Sequence, residues 1–234
     1  MKMEANQLAS KERPKPSRRP AILHDLGFVE DYSKVWDYQK RLLQKRIERT
    51  IADSVVMVEH AHVITLGRSA HVENILVPDL PIFEIERGGD VTYHGPGQLV
   101  VYPIISLQEI SLGVKQYVEL LEKVIIEALA EFGLACEGKL GEMTGVWVRE
   151  AKIASIGVAT SHWVTYHGFA LNVNTDLAYF EKIRPCGFES KIMTSVAHQL
   201  GRRRIEMSEV KRAIVSSLSE NFDFEIKVVD EQID

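Results

Sequence analysis

Cysteine is scarce in this sequence: 234 residues contain two, Cys136 and Cys186. Two thiols cannot build a disulfide framework, so a small secreted scaffold held by covalent staples is excluded, and each thiol has to be weighed as a nucleophile. Long apolar runs are missing as well. No stretch approaches the ~18 consecutive apolar residues of a membrane-crossing helix, and no short apolar segment follows the N-terminal charges as a secretory signal requires. The expectation is a cytoplasmic protein without membrane contact. An excess of positive charge is also lacking, with Lys+Arg 28 against Asp+Glu 33 and a formal net charge of -5. Beyond the first 20 positions the balance is 22 basic to 31 acidic residues, a field that opposes binding to phosphate backbones and argues against nucleic acid as a partner. No HExxH pattern or cysteine pair completes a metal site around His60 and His62, which read as ordinary hydrogen-bonded histidines near a strand end.

What is present is a globular composition, 45% hydrophobic, and enough chain to bury a substantial core. Residues 1–20, MKMEANQLASKERPKPSRRP, are polar, basic and broken by proline, and read as a disordered tail; residues 21–234 read as one domain. Val35, Tyr38, Leu42, Ile47 and Ile51 recur at helical spacing and predict a helix from Asp31 toward residue 52, lying on a sheet. SVVMVEH (54–60) and VITL (63–66) are β-branched and predict strands that pair or neighbour. FEIE, the glycine-rich ERGGDVTYHGPGQ and the run LVVYPII predict strand, turn and strand. A clear helical period spans Val114 to Phe132 with Gly133 just past its end. GVWVRE, KIASIGVAT and WVTYHGFALNV predict successive strands, DLAYFEKI a brief helix stopping at Arg184-Pro185, and Ser208 the cap of a last helix before the strand FEIKVV. Strands in runs rather than in alternation with helices predict an α+β (α/β) fold with a mixed sheet flanked by helices.

Two glycine patterns mislead. GLACEGK (133–139) has the glycine and lysine spacing of a phosphate loop, but a helix precedes it and Leu140 stands where a magnesium-holding Ser or Thr belongs. HGPGQLV lacks the third glycine and the following helix of a dinucleotide fingerprint. Arg202, Arg203 and Arg204 read as a solvated loop or, on the other reading, as a docking patch for an acidic protein. Cys136 reads as a small buried hydrophobe. Cys186 stands between Pro185 and Gly187, outside regular structure, where chemistry concentrates. Gly88, Gly89, Gly95 and Gly97 bracket Arg87, Thr92, Tyr93 and His94, which suits either a polar hairpin tip or a ligand held close to the main chain.

Four ordered blocks carry a family resemblance: RGGDVTYHGPGQLVVYPI (87–104), KIASIGV (152–158), VTYHGFALNVNTDLAYF (164–180) and IRPCG (183–187). Together with the weaker EHAHVITLGRSAHVENIL (59–76), they closely resemble the octanoyltransferases of lipoate biosynthesis, the lipoate-protein ligase B family. Ala61-His62 departs from the family's usual proline there, at a turn away from the reacting groups. The resemblance implies a fold like the catalytic domain of biotin and lipoate ligases. It implies transfer of octanoyl from octanoyl-acyl carrier protein to a specific lysine of a lipoyl domain or of glycine-cleavage H protein. By the same resemblance Cys186 is the acyl-thioester nucleophile and Lys152 the residue that lowers its pKa. The implied substrate-binding segments are Arg87, Gly88, Gly89, Asp90, Val91, Thr92, Tyr93 and His94; Ser155, Ile156 and Gly157; and Gly168, Phe169 and Ala170.

The chemistry agrees with that assignment. A free cysteine with pKa ~8.5 is only about 3% thiolate at neutral pH, and an ammonium nearby would raise that fraction. The donor thioester already carries the activation, so neither ATP, metal nor another cofactor is expected. A covalent acyl-cysteine lets two carrier proteins visit one site in turn, which implies ping-pong kinetics. The octanoyl chain calls for an apolar channel near Val91 and Phe169, with His94 and His167 shaping it. Backbone N–H groups near Cys186 or in a turn at Ser155–Gly157 would stabilise the oxyanion. A monomer is expected. The competing readings are an ATP-dependent lipoate or biotin ligase and a catalytically silent lipoyl-domain binder.

Overall fold

The computed structural model describes residues 18–184 and 192–229. The chain opens with strand β1 (Arg19–Val29), which the apolar pattern did not announce and which extends two residues into the segment read as a tail. Helix α1 (Tyr32–Ile47) follows, its first turn capped by Asp31, whose side chain accepts from the Ser33 N–H at 2.9 Å. It ends one turn earlier than the apolar spacing predicts, because Arg49 adopts a φ of 58° and turns the chain before Ile51. Strand β2 (Asp53–His60) and strand β3 (Val63–Leu66) come next. They do not pair: β2 joins an eight-stranded sheet and β3 a separate three-stranded one. Strand β4 (Ile82–Glu84) is followed by a strand inside the glycine-rich stretch, β5 (Val91–His94), and then by β6 (Gln98–Ile104). The expected single turn between two strands is therefore two turns around an added strand.

Helix α2 (Val114–Ala130) closes at Gly133 with a φ of 78°. Strands β7 (Glu137–Lys139), β8 (Gly145–Val148), β9 (Ala151–Ser161) and β10 (Val164–Asn172) form a meander. A 3-10 turn covers Leu177–Lys182, and the short helix α3 (Val196–Gln199) precedes α4 (Met207–Phe222) and strand β11 (Phe224–Val229). Glu206 occupies the N-cap of α4 without a side-chain bond, so the helix starts before Ser208. Ser208 lies inside the first turn.

The large sheet has the order β11-β1-β2-β6-β10-β9-β8-β7. β1 pairs parallel with both β11 and β2, and the remaining pairs are antiparallel, which makes the sheet mixed as expected. Alternation of side chains across the strands gives it two faces. Leu99, Val101, Phe169 and Leu171 belong to a core shared with Leu121, Ile125 and Leu129 of α2 and Ile214 and Leu218 of α4. Val100, Tyr102, Tyr166 and Ala170 pack against Val35, Tyr38 and Leu42 of α1. The small sheet, ordered β4-β3-β5, packs Ile64, Leu66, Val91 and Tyr93 on Phe180, Ile183 and Met193.

Among the described residues no helix is long and apolar enough to cross a membrane. Cys136 is half-buried just before β7, and burial pushes its thiol up to about 11, so it is not poised to attack.

Candidate active site

A cavity of about 840 Å³ is lined by β9, β10, the small sheet and the N-terminal turn of α2, a volume within the range of small-molecule sites. Its composition follows from strand alternation. On β5, Thr92 and His94 line the cavity, whereas Val91 and Tyr93 point to the other side. Val91 is fully buried among Ile64, Leu66 and Phe180, so it lines no channel. Tyr93 stacks on Tyr179 at 5.3 Å between ring centroids, and its hydroxyl lies 2.8 Å from His62 Nδ1. Arg87, Gly88, Gly89 and Asp90 reach the cavity from the turn between β4 and β5. Ser155, Ile156 and Gly157 reach it from β9, and Gly168, Phe169 and Ala170 from β10. Ser155–Gly157 lies in the middle of β9, paired with Phe169, Ala170 and Gly168, so the expected turn is extended strand.

Gly157 and Gly168 stand opposite each other, and both are set by close approach. A Cβ on Gly157 would sit 2.9 Å from the Gly88 carbonyl oxygen, and one on Gly168 would sit 2.2 Å from the Val101 oxygen. The Gly88 N–H donates to the Val158 carbonyl at 2.9 Å, fastening the 87–90 turn to β9. Arg87 braces the same turn. Its buried guanidinium donates to the Thr65 carbonyl at 2.7 Å and to the Gly88 carbonyl at 3.1 Å. Asp90 accepts from the backbone of His71 at 2.9 Å and of Val91 at 2.7 Å, and from Asn74 Nδ2 at 2.5 Å. Arg87 and Asp90 thus give shape to the cavity wall as well as lining it.

Lys152 is 3% exposed and lines the cavity from β9. It stands opposite Trp147 of β8, with Nζ 5.7 Å from the indole centroid. Trp147 is fixed in turn by its Nε1, which donates to the Met143 carbonyl at 3.0 Å. Lys139 Nζ lies 4.7 Å from the same ring, so the indole stands between two amines. Gly145 has a φ of 143°, and a Cβ there would lie 2.8 Å from Lys152 Cε. Only a residue without a side chain leaves the lysine its present course.

A chain of hydrogen bonds connects this end of the cavity to His94. His94 Nδ1 lies 2.7 Å from Gln98 Oε1, Gln98 Nε2 donates to Asn172 Oδ1 at 2.9 Å, and Asn172 Nδ2 donates to the Thr194 carbonyl at 3.0 Å. The Thr194 N–H then donates to the Lys152 carbonyl at 2.9 Å. Because Gln98 spends its amide donors on Tyr93 and Asn172, its oxygen accepts and His94 carries the proton on Nδ1. Burial lowers the His94 pKa to about 4, so the ring is neutral near pH 7.

His167 is almost fully buried, with a φ of 56°. Its Nε2 lies 3.3 Å from Glu86 Oε2, and this hydrogen bond holds the carboxyl down to about 2. Burial lowers the pKa of His167 itself despite that partner. A neutral ring donating from Nε2 satisfies both observations, and Nδ1 then remains without a hydrogen-bond partner among the described residues. Burial likewise holds His60 well below its ordinary value, with Nε2 2.9 Å from the Tyr102 hydroxyl. Among the described residues no group of three His, Cys, Asp or Glu could hold a metal ion.

Cys186 lies outside the described residues. Several lining residues escape the blocks that carried the resemblance or had no role assigned: Tyr32, His71, Asn74, Val114 and Val118 among them. Val114 and Val118 were legible as one face of a helix, but which wall that face meets depends on tertiary packing.

The family described as lipoyl protein ligase A/B catalytic domain matches residues 31–219. An octanoyltransferase of Solibacter usitatus is 46% identical over 215 residues, 89% of this chain and 96% of that protein. Among solved structures, a bi-partite lipoate protein ligase of Thermoplasma acidophilum superposes with a TM-score of 0.68 at 16% identity, covering 94% of this chain and 88% of that one. The biotin protein ligase of Aquifex aeolicus, with biotin and ATP, gives 0.51 at 16% identity, over 86% of this chain and 70% of that one. These two likenesses establish a shared fold, as the strand-rich sequence anticipated. Matching in sequence over most of its length, the chain belongs to the lipoyl protein ligase A/B catalytic-domain family.

Proposed function

We propose that this chain is an octanoyltransferase of protein lipoylation, an acyltransferase moving octanoyl from octanoyl-acyl carrier protein to a lysine of lipoyl domains or of glycine-cleavage H protein. The observation that carries the reading is the position of Lys152. It is a buried lysine in the wall of a roomy cavity, and both described ends of the segment bearing Cys186 meet that cavity's lining. The Arg184 N–H donates to the carbonyl of the cavity residue Asn74 at 2.7 Å, and Met193 bridges to Lys152.

In the proposed mechanism the Lys152 ammonium favours the Cys186 thiolate. The thiolate attacks the donor thioester carbonyl, the carrier leaves as its thiol, and the octanoyl group stays on Cys186. The acceptor lysine attacks as a neutral amine, and Lys152 or a coupled water takes its proton as the cysteine departs. Ile156, Val158, Phe169 and Ala170 offer the acyl chain an apolar surface. Thioester exchange is nearly isoenergetic and amide formation runs downhill, so the reaction proceeds without ATP, metal or a bound cofactor; in this reading the enzyme is a cytoplasmic monomer.

Intact-protein mass spectrometry after mixing with octanoyl-acyl carrier protein tests donor and nucleophile together. The protein should gain one octanoyl unit without ATP and pass it to a lipoyl domain, and Cys186→Ser should gain none. Acylation that requires ATP, or transfer that survives in Cys186→Ala, would replace this reading with that of an ATP-dependent ligase.

A further inference from the structure

The chemistry above leaves one charged feature unused. Arg202, Arg203 and Arg204 are all exposed, and among the described residues none forms an ion pair. Some cations of the chain are engaged, among them Arg46 with Asp53, Lys182 with Asp79 and Lys211 with Asp25. Three adjacent unpaired cations are a concentrated positive cluster in a body with 22 basic and 31 acidic residues.

The loop is held in place. Ile205 is buried, and its backbone is gripped on both sides by one amide: Asn174 Nδ2 donates to the Ile205 carbonyl and the Ile205 N–H donates to Asn174 Oδ1, each at 2.8 Å. The Arg202 N–H donates to the Ala197 carbonyl at 3.0 Å. The segment runs back through α3 to Thr194 and Met193, which touch the Lys152 backbone. The cations therefore stand on a fixed base, joined through α3 to the residues that touch the Lys152 backbone.

We propose that Arg202, Arg203 and Arg204 form the docking surface for the acidic protein that delivers the acyl thioester, an inference that rests on the octanoyl-transfer reading. The donor brings a phosphodiester in its pantetheine arm in addition to any acidic residues around it, so anionic charge always accompanies the thioester. The acceptor presents a lysine, which the same cations repel. Exposed charges of this kind steer encounter and set the salt dependence of binding more than they alter the reacting centre.

The test compares octanoyl-acyl carrier protein with octanoyl-pantetheine, which carries the same thioester without protein or phosphate. In the variant R202E/R203E/R204E the KM for the carrier-bound donor should rise about tenfold or more, with kcat and the kinetics on octanoyl-pantetheine unchanged. The variant R202K/R203K/R204K keeps the charge and should keep the wild-type KM. Equal loss on both donors would mean a distorted site and would overturn the proposal, as would an unchanged KM for the carrier or a raised KM for the lipoyl-domain acceptor alone. Titration of the wild-type and charge-reversed proteins with holo-acyl carrier protein separates this inference from the reading beneath it. Salt-sensitive binding abolished by charge reversal supports the docking surface even if no octanoyl is transferred, and equal binding by both proteins overturns it.

Discussion

The two faces of the eight-stranded sheet bury their residues for different ends. Toward α2 and α4 the core is built from Leu, Ile, Val and Phe, with Leu121, Ile125 and Leu129 packed against Val101, Phe169 and Leu171. Toward α1 and the small sheet the buried set includes His60, Arg87, His94, Gln98 and His167, several of them lining the cavity. Burying such groups costs stability unless each finds a partner, and most here are tied into hydrogen-bonded chains. The first face mainly stabilises the fold and lends Ile156, Val158 and Phe169 to the cavity wall; the second spends part of that stability on the polar part of the same wall. Substitutions on the two sides should therefore fail differently.

The largest contrast is expected at Lys152. Lys152→Ala should lower octanoyl transfer by about 10²-fold or more, the scale of a lost acid–base group, while the unfolding midpoint shifts little. Steady-state kinetics beside thermal unfolding checks both halves. In the core beneath α2, Leu121→Ala should destabilise the fold by about 2–5 kcal/mol through the cavity it leaves, with kcat per folded molecule unchanged in urea-titrated samples.

Acid should attack the cavity side first. Burial lowers the pKa of His60, His94 and His167 in the fold, so each takes up its proton more readily once unfolded. Their neutral forms contribute stability that is fully present above the unfolded value near 6.5 and is lost as pH falls toward about 4, the His94 value. His94 alone accounts for on the order of 3 kcal/mol across that window. Hydrogen exchange at pH 7 and 4.5 should show protection lost in β3, β5 and β10 before α2 and α4. Uniform loss would dissolve the distinction between the faces.

Smaller effects probe how Lys152 is held. Gly145→Ala forces a Cβ toward Lys152 Cε at an unfavourable φ and should lower kcat about tenfold, on the scale of 1–3 kcal/mol of local strain. Trp147→Leu removes a cation–π contact worth about 0.5–2 kcal/mol and should shift the pH–rate profile, with Trp147→Phe restoring part of it.

The two faces were also unequally legible. The helix periods of α1 and α2 and the β-branched strands could be read because burial of one stripe or face repeats along the chain. Strand pairing could not: β2 and β3 are separated by two residues yet enter different sheets. β1 was missed because Pro20, His24, Asp25 and Gly27 interrupt its apolar alternation, and its place between β2 and β11 is supplied by distant segments. Much of the cavity wall was readable through family resemblance, since short blocks carry Arg87, Lys152, Ser155 and Gly168. Tyr32 and Asn74 were not, because only folding brings them to that wall. Val91 and Tyr93 show the limit of a contiguous block: β5 alternates, so half of its residues face away.

The alkylation of Cys186 by iodoacetamide, followed as a function of pH in the wild type and in Lys152→Ala, tests most directly the claim that a buried lysine activates the cysteine. The wild type should react with a thiolate pKa one to two units below the ordinary ~8.5, and the variant should return to that value, slowing by about tenfold or more at pH 7. Identical pH–rate curves for the two proteins would contradict the account.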